Sequence, residues 1–191
     1  MANTMNARQI MKRTATASTI PTIPSSSDHT DGTWLATDIY KGEMFYNEAN
    51  DSMWTRGTNG IVHLGGRAKL TIPTAQVLTL NSIPVAFGLT VPSGYYVQPT
   101  SIAASLDYNS IAYATNTRVA IRFIGAASGL SVFNNAFLSS ASDAFFSVGH
   151  SSPTGTNVIV NTDIEAYVET GNPTAGNSDI TIYLTYVLIK I

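Results

Sequence analysis

Hydrophobic and polar positions alternate along most of this chain with a period of two, the spacing of strands rather than helices. The clearest case is Asp179–Ile191, where Ile180, Ile182, Leu184, Tyr186 and Leu188 fall on one face. The other face carries Tyr183, Val187, Ile189 and Ile191, so both turn apolar towards the end of the strand. A strand that is apolar on both sides must be covered on both sides. One sandwich core covers one face; a neighbouring subunit is the economical cover for the other. Left bare, such a strand invites aggregation. In Arg118–Ile124, Val119, Ile121 and Phe123 share one face and Arg118 and Arg122 the other. In Asp163–Glu169, Ile164, Ala166 and Val168 alternate with Asp163, Glu165, Tyr167 and Glu169. The two polar faces are expected to meet as ion pairs, within or between subunits.

The same reasoning predicts strands at Lys69–Ile72, Gln76–Leu80, Val85–Thr90, Tyr95–Gln98, Ser101–Tyr108, Leu130–Phe133, Ala144–Val148 and Asn157–Val160. Breakers such as Pro92-Ser93-Gly94 and Gly171–Asn177 separate them. Regular strands of this kind belong to a sandwich or barrel. Upstream, Glu43–Asn47, Ser52–Arg56 and Ile61–Leu64 read as a three-stranded meander. Its turns, Asn47–Asp51 and Gly57–Gly60, hold the Asn, Asp and Gly that tight turns need. Three short strands are too few to stand alone. Tyr40, Phe45, Tyr46 and Trp54 supply an aromatic mini-core.

Before the meander the pattern changes. Asn3–Arg13 reads as a short helix, capped by Asn3 or Thr4, with Lys12 and Arg13 at the end that favours cations. Thr14–Thr33 is an extended Ser/Thr/Pro linker that can lie along a partner, with Ile20 and Ile23 beside prolines. Ile10, Met11, Ile20, Ile23 and Trp34 are the candidate anchor residues. Three segments result: 1–38 as anchor and linker, 39–68 as meander, and 69–191 as sandwich.

Composition narrows the function. Charged residues make up 12% of the chain, about half the usual ~25%. Seven of the ten Lys and Arg lie in residues 1–69. A soluble domain as poorly charged as the remainder suits a surface covered by copies of itself, or a hardened extracellular protein. A net charge of −2 offers no basic stripe for nucleic acid. No cysteine is present, so there is no disulfide framework or thiolate site. No apolar run reaches the ~18 residues of a membrane span, and Met1–Met5 lacks the apolar core of a signal peptide.

Catalytic signals are weak. His29, His63 and His150 have no metal-ligand spacing, and no nucleophile has an evident base. Asp163 and Glu165 would be neighbours on one strand face, as a glycosidase pair requires, but pairing with the arginines is the stronger expectation. Tyr95, Tyr96 and Tyr113 are candidate sugar-stacking platforms. No cofactor or metal is expected, and no enzymatic activity.

Several stretches resemble a known family. Tyr40–Asn47, Met53-Trp54-Thr55-Arg56 and Gly60-Ile61-Val62 look like the Gly-Glu-…-Asn-…-Trp-x-Arg meander of tailed-bacteriophage fibre proteins. Leu78–Val85, Leu106–Thr117, and Asn172–Gly176 running on to Thr181–Tyr186 resemble a β-domain of phage virion proteins. The chain departs from that pattern at Val91–Tyr95, a surface turn. The resemblance covers most of residues 39–191. It implies a homotrimeric fibre or spike of the virion, made in the host cytoplasm. Its N-terminus would dock on capsid or tail proteins, and a jelly-roll-like head would face outward, aiding adhesion to host-surface glycans. The short anchor leans towards a head fibre like those of crAss-like phages; a carbohydrate-binding tail-fibre module is the alternative. On this reading the meander is a collar around a three-fold axis. Phe45, Tyr46, Trp54, Tyr183, Val187 and Ile189 are the expected subunit contacts. The expected fold is all-β and trimeric: a jelly-roll-like sandwich after a small meander and an extended anchor with a short helix.

Overall fold

The computed structural model describes residues 11–17, 19–25, 31–149 and 159–191. The chain forms two compact units, one ending at Gly66 and the other beginning at Arg67. Both are built of strands; the two described helices have four residues each.

The first unit holds β1 (Met11–Thr14), β2 (Met44–Asn47), β3 (Ser52–Gly57) and the start of β4 (Gly60–Ile72). Strands β2, β3 and β4 form the expected antiparallel meander. Its first turn is held by the Asn47 side chain, which accepts from Ala49 N at 3.0 Å. The expected helix over Asn3–Arg13 is corrected where it is described: Met11–Thr14 is a strand, parallel to β2. The rest of that helix, with Ile10, lies outside the described residues. Pairing explains the difference. A short isolated helix gains too few hydrogen bonds to cover its nucleation cost, whereas β1 finds a ready ladder on β2. Lys12 then reaches from the inner side of β1 to the Asp38 carbonyl oxygen.

Over its described residues 14–17 and 19–25 the linker is a strap. Thr22 bridges Asp38 in parallel; its N–H donates to Thr37 O at 2.9 Å and its carbonyl accepts from Ile39 N at 3.0 Å. Asn47 Nδ2 ties the strap down further by donating to Thr16 O and Thr19 O.

The second unit contains β4 from Arg67 onward, β5 (Val85–Ala86), β6 (Tyr95–Asp107), β7 (Val119–Phe123), β8 (Ser131–Val132), β9 (Ala144–Gly149), β10 (Ile164–Val168) and β11 (Asp179–Lys190). One sheet runs β4-β11-β6-β9 and the other β5-β10-β7-β8. Counted within the unit, these are strands 1-8-3-6 and 2-7-4-5. Two four-stranded sheets in that order make a jelly roll, an eight-stranded double sheet built of Greek keys. Ile102, Leu106, Ile182 and Leu184 from one sheet, and Ile121 and Ile164 from the other, are buried in the core.

Several expected strands differ in the structure. Gln76–Leu80 is not a strand; α1 (Thr74–Val77) and a turn occupy that stretch. The reason is tertiary: Asp179 of β11 accepts from Thr74 N at 2.8 Å and fixes the start of the helix. Val77 and Leu80, three apart, then both reach the core. Tyr95–Gln98 and Ser101–Tyr108 are one strand, because the proline between them sits at a bulge. Tyr186 pairs with Pro99 and Thr185 with Ser101, which leaves Thr100 over. Proline, lacking an N–H, is tolerated in sheets at such bulges. Most of Val85–Thr90 lies outside the ladder, with only Val85 and Ala86 in β5. Of Asn157–Val160, only Ile159 and Val160 are described, and neither is in a strand. After β8, Asn134 caps α2 (Asn135–Leu138) by accepting from Ala136 N at 3.0 Å.

Two loops interlock at one end of the jelly roll. Ala114 and Thr174 bridge each other, and the buried Tyr113 donates its hydroxyl to Ser178 O at 2.5 Å. Gly176 has a φ of +87°, and a Cβ there would lie 2.2 Å from Tyr113 Cδ1. Gly176→Ala combines a strained backbone with a clash against a ring that cannot retreat. It should cost about 2–4 kcal/mol, read as a lowered denaturation midpoint in urea.

Candidate functional site

The alternation of the meander separates two faces. On one, Lys12, Phe45, Trp54 and His63 lie in register across β1 to β4. Phe45 and Trp54 are each 1% exposed. Both were expected at a subunit contact; they lie instead inside their own unit, on the face to which the strap is tied. Tyr46 points the other way and donates its hydroxyl to Asp51 at 2.5 Å. Asp38, also buried, accepts from Thr22 Oγ1 at 2.6 Å and from Leu35 N at 2.7 Å. Arg56 Nη1 donates to Ile39 O at 3.0 Å.

His63 is buried edge-on to Trp54, with ring centroids 4.5 Å apart. Burial lowers its pKa from 6.5 to about 4, so it is neutral in the folded protein at pH 7. His29 and His150 lie outside the described residues.

The anchor candidates are spread over β1 and the strap. Met11, Ile23 and Trp34 are half exposed, and Ile20 is less so. Lys12 Nζ sits 5.0 Å from the Trp34 ring centroid, a cation–π contact that pins the tryptophan. In the second unit, β11 buries Ile180, Ile182, Leu184, Tyr186 and Leu188 and turns Tyr183, Val187 and Ile189 outward. Lys69 of β4 lies 5.9 Å from the Tyr183 ring centroid. Ser101, Ala103 and Ser105 of β6 pair with outward positions of β11, so Thr181, Tyr183 and Thr185 have small uncharged partners across that ladder. Phe145 on β9, 71% exposed, was not singled out by the sequence. Nor were Val62 and Leu64, although their alternation with His63 was there to be read.

The ion pairs fall as expected. Glu165 faces Arg122 across β10 and β7, with Arg122 Nε 2.6 Å from Glu165 Oε1. The Arg122 guanidinium also stacks 4.1 Å from the Tyr167 ring centroid. Arg118 Nε meets Glu169 Oε2 at 3.0 Å in a more exposed pair. Asp163 accepts from Gly88 N at 2.8 Å and from Ile164 N at 2.6 Å; burial raises its pKa, and those hydrogen bonds oppose the rise. Both carboxylates of the candidate glycosidase pair are thus engaged by their own sheet. Among the described residues no cluster of His, Asp and Glu is arranged to hold a metal ion. Two of the candidate sugar platforms, Tyr95 and Tyr113, are buried, which leaves Tyr96 half-buried at the surface.

No protein-family model and no curated protein matches the chain. Among solved structures it is similar to a chain of the cyanophage Pam1 capsid asymmetric unit, at 15% identity and a TM-score of 0.37, over 65% of this chain and 84% of that one. It is also similar to a chain of the acidic stable capsid of Helicobacter pylori bacteriophage KHP30, at 14% identity and a TM-score of 0.32, over 66% and 92%. At these scores the likeness carries no argument about fold or function.

Removing Arg122 strands a buried carboxylate. Arg122→Ala should therefore cost about 2–3 kcal/mol, and Arg118→Ala less than about 1 kcal/mol, by urea unfolding. A joint Arg122→Met, Glu165→Leu replacement should come out near the parent.

His63 makes the fold acid-sensitive. The unfolded chain binds a proton below about pH 6.5, but the folded chain only below about 4. The stability that neutral His63 permits is complete above pH 6.5 and is lost as pH falls towards 4, about 3 kcal/mol in all. His63→Leu should flatten that part of the pH profile; an unchanged difference between parent and variant from pH 7 to 4 would contradict it.

Proposed function

We propose that this chain is a structural protein of a bacteriophage virion. It acts as a homotrimeric fibre or spike, held to capsid or tail proteins through its N-terminal segment, with the jelly-roll unit outward. The observation that carries this reading is the jelly roll's uncovered sheet face. Its core is filled by residues of one chain, yet β11 turns Tyr183, Val187 and Ile189 outward, opposite Ala103, Gln98 and Tyr96 of β6. Such a surface suits permanent contact with copies of itself better than free solution. Jelly rolls build capsid proteins and lectins alike, and a fold alone does not choose between them. The fibre-like stretches at Tyr40–Asn47 and Met53–Arg56 favour the virion. The arrangement of Asp163 and Glu165, both tied into their own sheet, favours a non-enzymatic role.

Weak adhesion to host-surface glycans is a second task for the outward unit, through exposed aromatic side chains such as Phe145. A glycan array reads that task separately.

Antibodies against the full chain should label intact particles of the phage that encodes it, and light scattering of the purified chain should give the mass of a trimer. Particles that lack the chain would sink the virion reading. A stable monomer would sink the fibre.

A further inference from the structure

Three connections cross from one sheet of the jelly roll to the other at the same end: β4 to β5, β6 to β7 and β10 to β11. Asparagine side chains lace them together. Asn172 Oδ1, after β10, accepts from Asn81 N at 2.9 Å and from Ser82 N at 3.1 Å, both before β5. Asn177 Oδ1 accepts from Ser110 N at 3.1 Å and from Ile111 N at 2.9 Å, both after β6. Asn116 Nδ2 donates to Asn172 O at 2.9 Å, and its Oδ1 accepts from Thr170 Oγ1 at 3.1 Å. Between these ties, Ala114 and Thr174 exchange backbone hydrogen bonds of 2.8 Å in both directions.

The lacing holds strained backbone. Thr115, Asn116, Thr170 and Ala175 have φ values of 49°, 45°, 69° and 55°. A positive φ is costly for a residue with a side chain, most of all for a β-branched one such as threonine. Such strain persists only where the surroundings over-determine it. None of these loops would hold its shape by itself; each is held by the others.

We propose that the lacing is a kinetic latch, which closes after the two sheets have met and sets how slowly the jelly roll opens. Two observations place its closure late. Its bonds join residues far apart, 91 positions for Asn81 with Asn172 and 66 for Ile111 with Asn177, so each waits on a large loop closure. The strained residues give the loops no reason to take this shape before their partners arrive. Interactions absent from the folding transition state slow unfolding and leave the folding rate alone. A protein that works where nothing refolds it endures by its unfolding rate rather than by its equilibrium stability.

The test uses the full chain. Unfolding is started by a jump into urea and refolding by dilution. Both are read by pulsed hydrogen exchange on peptides from β6 and β11, which follow the second unit apart from the first. Asn172 and Asn177 are partly exposed, so truncating them opens no core. Asn172→Ala and Asn177→Ala should each speed unfolding about 10-fold, and the pair about 100-fold, with refolding within about 2-fold of the parent. Each single variant decides the matter if the pair does not fold. Asn177→Asp keeps the acceptor and should unfold within about 3-fold of the parent rate. Ile102→Val, in the core, should instead divide its effect between the two rates. Refolding slowed as much as unfolding is sped would put the lacing in the folding nucleus and overturn the latch. Unfolding rates unchanged in both alanine variants would overturn it too, as would a core variant that changed unfolding alone.

Discussion

The antiparallel ladder of β11 on β6 is the interaction on which the second unit depends. It runs from Asp179 opposite Asp107 to Lys190 opposite Tyr95. One side of β11 fills the core with Ile180, Ile182 and Leu184. Its first residue, Asp179, holds the start of α1. The preceding carbonyl, Ser178 O, takes the Tyr113 hydroxyl and so locks the two end loops. A single strand thereby sets the sheet, the helix and the loops. The bulge at Pro99 is the accommodation that keeps so long a ladder in register on both sides of a residue without an N–H.

The opposite sheet is held differently. β10 is buried at every position, including Glu165, whose charge is met by Arg122 with Tyr167 stacked beneath it. A buried ion pair adds little net stability, because desolvation offsets most of the attraction. Its effect is on register: a slip of one residue would leave a buried carboxylate without its arginine. The first unit has its own version of this constraint. Asp38 ties the strap through Thr22 and Leu35, and Lys12 reaches across to its carbonyl oxygen.

Each unit makes ion pairs of its own, Arg13 with Glu48 and Arg122 with Glu165, and each leaves apolar side chains such as Val62 and Tyr183 exposed. That combination connects the low charge content of the chain to its proposed role. A virion component works in a fixed assembly, where solubility as a monomer matters less than permanent contact. Its polar groups serve to specify the fold, and its bare faces are what remains for neighbours.

Period-two alternation by itself determined most of the strands, which residues of β11 share a face and the facing of Arg122 and Glu165. These follow from side chains pointing to opposite sides of a strand, which is local geometry. Alternation says which residues share a face, but not which face is covered. Phe45 and Trp54 share one; only the strap, tied down by Asn47 and Thr22, decided that this face is internal and that Met44, Tyr46 and Val62 lie outside. The same limit explains β1, whose pairing partner lies about thirty residues away, and α1, whose start is fixed by Asp179 from the end of the chain. Contacts between residues far apart in sequence carry no local signature, so only the tertiary structure could place them.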